Sequence, residues 1–289
     1  MKQKTIKKEV CFNGVGVHSG IESSIILKPS QINSGIIFVN VAFPMENIKI
    51  GKVIPEVAMH ASVIKNSKWF ISTIEHLMSA VSALGVDNLI IEVKMPEIPI
   101  LDGSALSFID GIKEVGLEEQ EELKKFLTPI KEIKFEDKEG RFLQIEPARC
   151  NKNLEFDKNL YFEYQADFEH PLIGKSCLNG VLSEVFFIEQ IAPARTFGFL
   201  EKLPFLRKHG LAKGTTLGNT VVIGEEEFLN ERRFEDEFIR HKVLDLFGDL
   251  ALLGKNLAGK IIAKKTGHSF NRLAVEHYIK NPGMWKLIS

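Results

Sequence analysis

Cysteine is scarce in this chain: its 289 residues hold three, Cys11, Cys150 and Cys177, widely spaced and without a C-x-x-C pair. Such a set cannot all pair and suggests neither a disulfide framework nor a cysteine zinc site; it suits a reducing compartment, so a cytoplasmic location is expected. Long apolar runs are missing too. Asn88–Val93 is among the longest, far short of the ~20 residues a membrane-spanning helix needs, so no stable membrane insertion is expected. Charge of one sign is also lacking. The formal net charge of −1 leaves no global positive field to draw in nucleic acid. An anionic ligand must therefore meet local positive charge. The segment Met1–Val10 carries Lys2, Lys4, Lys7 and Lys8, but no apolar stretch with a small-residue cleavage site follows, and no signal peptide is read. No feature of the sequence points to a protein partner.

What is present, 44% hydrophobic and 26% charged residues, is the composition of a globular protein with one large or two small domains. In the first half, β-rich runs at Thr5–Phe12, Ser23–Leu27, Gly35–Val39 and Asn88–Val93 alternate with two helical patterns. The first spans Ser72–Leu84, with Ile74, Leu77, Met78, Val81 and Leu84 on one face and Gly85 as its stop; the second spans Ser104–Val115 and ends at Gly116. The stretch Leu117–Lys125, rich in glutamate, reads as a solvated linker. It divides the chain into expected domains of residues 1–120 and 126–289. The second half repeats the order, with strands near Ile130–Phe135, Phe142–Ile145 and Leu160–Phe168, a helix near Ser183–Gln190, a strand at Thr220–Ile223 and a long helix over Phe234–Leu253. Two mixed α and β halves follow, with no residue-level repeat between them.

The long helix carries an apolar stripe, Ile239, Val243, Leu246, Leu250 and Leu253, which must face a core. His241, Asp245 and Asp249, at i, i+4 and i+8, form a second stripe. A solvated polar face would explain them, except that Asp245 and Asp249 repel each other at that spacing and a bound cation would offset the repulsion. A His and an Asp one turn apart can bind one metal, with a third ligand from elsewhere. His76 is the candidate. Its neighbour Glu75 has a structural explanation of equal weight, as the N3 residue of a capping box Ser72-Thr73-Ile74-Glu75. His268 sits in the loop Lys265-Thr266-Gly267-His268-Ser269. Together Glu75, His76, His241, Asp245 and His268 supply three metal ligands, a base and an acid, the inventory of a zinc hydrolase with an open coordination position.

Several segments carry a resemblance. They are Ser72-Thr73-Ile74-Glu75-His76-Leu77, Glu97-Ile98-Pro99-Ile100-Leu101-Asp102-Gly103-Ser104, Ala194-Arg195-Thr196-Phe197-Gly198-Phe199 and Arg240-His241-Lys242-Val243-Leu244-Asp245, with Gly14-Val15-Gly16-Val17-His18 and Gly267-His268. Each is short; all six in register, from near residue 5 to near residue 275, resemble the UDP-3-O-acyl-N-acetylglucosamine deacetylases, zinc enzymes of lipid A biosynthesis. The resemblance implies an α+β fold of two similar domains, each a small β-sheet layered against helices, with the active site between them. It implies that His76, His241 and Asp245 hold zinc, a set that iron(II) also tolerates, and that Glu75 is the general base. Thr196 would donate to the developing oxyanion. His268, kept charged and oriented by Asp249, would protonate the departing amine, a division of labour preferred because an amine leaves poorly without a dedicated acid.

On the same resemblance Lys242 would contact the nucleotide diphosphate, Phe197 would pack on nucleotide or sugar, and His18 would lie at the mouth of the site. Leu203, Phe205, Leu206, Leu211 and Ala212 would border a passage for the 3-O-acyl chain. Thr215 in Gly214-Thr215-Thr216 replaces a smaller residue of many relatives and is expected to shorten or redirect that passage. Two rival readings share these residues: a zinc amidohydrolase of another acylated substrate, and a non-catalytic protein that binds the nucleotide lipid. Against the second, a structural zinc takes four protein ligands, and only three are apparent beside an intact base and acid.

Overall fold

The computed structural model of the chain describes residues 1–58 and 60–289. Alternating burial turns the β-rich runs of the first half into a five-stranded sheet. Its strands are β1 (Val10–Val15), β2 (Glu22–Pro29), β3 (Ile36–Asn40), β4 (Ile48–Lys49) and β5 (Leu89–Val93), in the order β1-β2-β5-β3-β4. Ile25 and Leu27, Ile36 and Phe38, and Leu89, Ile91 and Val93 are buried at every second position, so one face is apolar. The second half builds β6 (Ile133–Glu136), β7 (Phe142–Pro147), β8 (Leu160–Asp167), β9 (Lys175–Val181) and β10 (Gly259–Lys264), in the order β6-β7-β10-β8-β9. In both sheets the last strand inserts at the centre, antiparallel to the second strand and parallel to the third. The topology is repeated although the residues are not, and the α+β architecture expected from the sequence is present.

The helices α1 (Glu75–Ala83), α2 (Leu106–Val115), α3 (Glu237–Leu250) and α4 (His268–Lys280) lie between the sheets. α2 packs on β1, α1 on α2 and α3, and α3 on α4, β8 and β9. One hydrophobic core therefore runs from Leu27 and Phe38 through Leu77 and Leu246 to Tyr164 and Ile261. The helices α1 and α3 meet closely at Gly248, where an added Cβ would lie 2.1 Å from the Glu75 carbonyl oxygen. Only glycine lets the two backbones approach so closely.

Several expectations are corrected. The glutamate-rich segment is not a linker: Leu117–Leu123 is a strand antiparallel to Lys2–Ile6, with Glu119 opposite Lys4, so the lysines of the N-terminus offset the acidic run across the pair. This strand runs past residue 120, the expected end of the first half. Beyond it, Phe126–Pro129 pairs with the C-terminal strand Trp285–Ile288. The run Thr5–Phe12 breaks at Lys7–Glu9 into strands of two different sheets. No helix among the described residues is long and apolar enough to cross a membrane.

Candidate active site and metal centre

The capping box expected at Ser72 does not form. Thr73 takes a left-handed conformation with φ of 57°, Ser72 ends the strand Phe70–Ser72 and donates its hydroxyl to the Pro96 carbonyl, and Ile74 caps α1 without a side-chain hydrogen bond. Glu75 becomes the first residue of α1, and its carboxylate accepts the Ser62 backbone N–H at 3.2 Å. The structural explanation for Glu75 is thereby removed. Burial pushes this carboxyl up to about 7, with the charges of Asp249 and Asp245 adding to the shift and His268 opposing it.

His76 follows Glu75 on α1 and faces α3 across the junction of the two halves. The stripe of α3 is interior rather than a solvated face, as are the residues of α1 opposite it: Glu75 is 2%, His76 4%, His241 3%, Asp245 3% and Asp249 1% exposed. His241 Nε2 lies 3.4 Å and His76 Nε2 4.0 Å from the same oxygen of Asp245. One donor atom from each residue falls within 4.8 Å of the others. Burial lowers both histidines, His76 to about 3, so both imidazoles are neutral and can offer a lone pair. His241 Nδ1 donates to the Ala194 carbonyl at 3.0 Å, which leaves Nε2 as the free acceptor turned toward Asp245. The other oxygen of Asp245 takes the Lys242 ammonium at 2.8 Å. Two imidazoles and one carboxylate, with donor atoms gathered within 4.8 Å of one another, are a donor set that suits a divalent cation.

Next to this donor set, His268 opens α4; it is the helix's first residue rather than part of a loop. Its Nδ1 donates to Asp249 at 2.9 Å, and its Nε2 lies 3.7 Å from Glu75. Burial alone would lower this imidazole, but the carboxylates of Asp249 and Glu75 outweigh it and push His268 up to about 10. Asp249 also accepts the Ser62 hydroxyl and the Asn271 amide, the latter at 2.8 Å. Ser62 thus ties Glu75 and Asp249 together. Neither Ser62 nor Asn271 was singled out in the sequence, since a serine in a short strand and an asparagine in a helix carry no local signal.

The remaining motif residues hold the walls. Arg195 is buried against Glu237, to which its N–H and Nε donate at 2.9 and 3.0 Å, and the Thr196 N–H donates to the Gly103 carbonyl at 2.7 Å. Gly103, with φ of 84°, leaves room for the Asn219 carbonyl only because it lacks a side chain. Glu97 accepts the N–H groups of His18 and Ser19 and the Thr73 hydroxyl, fixing the His18 loop beside the start of α1.

Glu75, His76, His241, Asp245 and His268 open into one cavity of about 420 Å³, together with Thr73, Thr196 and His18. Of the polar candidates named from the sequence, all line it except Asp249, which sits behind His268. Among the apolar residues, Leu203, Leu206 and Ala212 line the cavity, as does Thr215, whereas Phe205 is exposed and neither it nor Leu211 lines it. Phe197 packs edge-on to Phe168, Phe238 and His241, and Lys242 lies 5.7 Å from the centre of its ring. Lys242, expected to face a diphosphate, is turned onto Asp245, whose charge overcomes burial and raises the ammonium above its ordinary range. His60, not anticipated, stands beside His18 in the same wall.

The family model described as LpxC, UDP-3-O-acyl N-acetylglycosamine deacetylase, matches residues 3–280. The UDP-3-O-acyl-N-acetylglucosamine deacetylase of Nautilia profundicola is 41% identical over 284 residues, covering 96% of this chain and 92% of that protein. The proteins of the same name from Shewanella piezotolerans and Histophilus somni are each 38% identical, over 293 and 299 residues, and cover 99% and 100% of this chain and 92% and 93% of their own length.

Proposed function

The chain belongs to the UDP-3-O-acyl-N-acetylglucosamine deacetylase family, and from that premise we propose how its residues remove the N-acetyl group from UDP-3-O-acyl-N-acetylglucosamine. It is an enzyme of lipid A biosynthesis that hydrolyses the acetamide to give UDP-3-O-acyl-glucosamine and acetate. His76, His241 and Asp245 hold the metal, zinc in the first instance, with iron(II) suited to the same donors. When bound, the ion supplies Lewis-acid chemistry that makes water acidic enough to attack near neutral pH.

Glu75 is the proton acceptor: a carboxyl that titrates at about 7 can take the proton of the attacking water and release it again. His268 stays protonated at neutral pH and gives its proton to the nitrogen as the C–N bond breaks, while Asp249 holds the ring in place. Thr196 lines the cavity, so its hydroxyl can donate to the carbonyl oxygen as negative charge develops there. Lys242, whose ammonium is held by Asp245, still lines the cavity and would bring positive charge toward the diphosphate; Phe197 would supply an apolar face for sugar or base, and His18 a wall of the entrance. Leu203, Leu206 and Ala212 border the acyl chain, whose burial is worth about 0.8 kcal/mol per methylene. The free cysteines and the lack of a membrane-crossing helix among the described residues support a cytoplasmic site of action.

The observation that carries this reading is the convergence of a buried donor set, a carboxyl raised to about 7 and a histidine raised to about 10 in one cavity. Acetate release from UDP-3-O-acyl-N-acetylglucosamine, compared with UDP-N-acetylglucosamine lacking the acyl chain, tests it. Strong preference for the acylated substrate is expected. Equal turnover of the two would favour a general amidohydrolase, and no turnover of either by metal-replete protein would favour a binding protein.

A further inference from the structure

The rim of the apolar passage is exposed and basic. Leu200 and Lys202 line the cavity yet are open to solvent, so they mark its mouth. From Leu200 to Lys213 the chain carries Lys202, Arg207, Lys208 and Lys213, all exposed, against a single carboxylate, Glu201, in a protein whose net charge is −1. Among these cations stand Leu200, 43% exposed, and Phe205, 55% exposed, with Leu217, 54% exposed, in the turn that follows. The helix Leu203–Lys208 turns Leu203 and Leu206 to the cavity and leaves Phe205, Arg207 and Lys208 outside. One short element therefore borders the passage on its inner side and presents apolar and cationic side chains on its outer side, the combination found in segments that lie in a membrane interface.

We propose that this rim, residues 200–217, rests reversibly on an anionic lipid surface, so that the alkyl chain of substrate or product moves between bilayer and cavity without passing through water. The inference depends on reading the passage as the acyl site. Charge complementarity selects anionic headgroups. The continuity of the exposed leucine at the mouth with the leucine-lined cavity selects a lipid surface over an acidic protein. A six-residue helix is far too short to span a bilayer, so the contact is peripheral.

Sedimentation of the full chain with vesicles of phosphatidylcholine, with and without phosphatidylglycerol, tests the proposal. Binding is expected only with the anionic lipid, weakening as salt rises. The double variant Arg207→Glu/Lys208→Glu should lower partitioning at least about tenfold, since each basic residue near such a surface contributes measurably, and Leu217→Ser should lower it several-fold. Acetate release from a water-soluble short-acyl substrate should be the same in both variants as in the parent. Absence of binding by the parent chain, or equal binding by the double variant, overturns the proposal while leaving the deacetylase reading intact if the soluble substrate is turned over. Failure of the parent chain to turn over that substrate would instead remove the acyl-site reading on which the proposal stands.

Discussion

The polar centre and the apolar passage share one cavity but are built to different tolerances. In the centre, Glu75, His241, Asp245, Asp249 and His268 are buried or nearly so and tied to one another or to Ser62, Lys242, Asn271 and the Ala194 carbonyl. The long helix α3 and the tight contact at Gly248 hold them. The passage is walled by short pieces, the strand Phe197–Phe199 and the helix Leu203–Lys208, with no fully buried residue in the helix. On the proposed reading, a change in the centre should meet no slack and alter the chemistry. A change in the passage should alter which chain is accepted.

The sharpest way to break that contrast is Glu75→Gln. The amide still accepts from Ser62, so folding should survive, while loss of the proton acceptor should lower kcat by roughly 10²- to 10⁴-fold with KM little changed, as read by steady-state kinetics. Next comes Gly248→Ala. Its methyl group would meet the Glu75 carbonyl at 2.1 Å, so α1 and α3 must part, at a cost of about 1–3 kcal/mol measurable as a lower urea midpoint. An unchanged midpoint would show that the centre has slack after all.

Asp249→Asn should act through pH. Because His268 is raised to about 10 in the folded protein, its protonated form persists through neutral pH and is lost only as pH rises through about 10. Removing the carboxylate should move the alkaline limb of activity down toward the ordinary histidine range near 6.5. A limb that does not move would show that His268 is not the acid. The smallest effect is expected in the passage: Thr215→Ser removes one methyl from the wall and should favour a chain longer by about one methylene, a change of roughly fourfold in kcat/KM at about 0.8 kcal/mol each.

How much of this was legible follows the same division. The spacing of His241, Asp245 and Asp249 disclosed a shared helix face, but helical periodicity could not tell a solvated face from one covered by a second helix; α1 covers it, a long-range fact. Glu75 fits the local pattern of a capping residue, whereas the left-handed Thr73 that defeats the pattern is held by long-range hydrogen bonds, its N–H to the Ser62 carbonyl and its hydroxyl to Glu97. The charged Leu117–Leu123 reads as a linker because its pairing partner lies more than a hundred residues away in sequence, at Lys2–Ile6. The repeated sheet order was visible only as element order, since period-two burial constrains residue class and not identity. Phe205 was grouped with the passage by hydrophobicity alone, and its exposure shows that a short amphipathic helix divides its apolar residues between two faces.

The most direct test of a metal centre assembled from both halves is to measure melting temperature and acetate release on one preparation, before chelation, after chelation and after zinc repletion. His76 comes from α1, and His241 and Asp245 from α3, so a bound ion should join the halves as well as support catalysis. Both quantities should fall together on chelation and return together with zinc. Turnover lost with the melting temperature unmoved would contradict the shared clamp, and turnover that survives complete metal removal would contradict the metal centre itself.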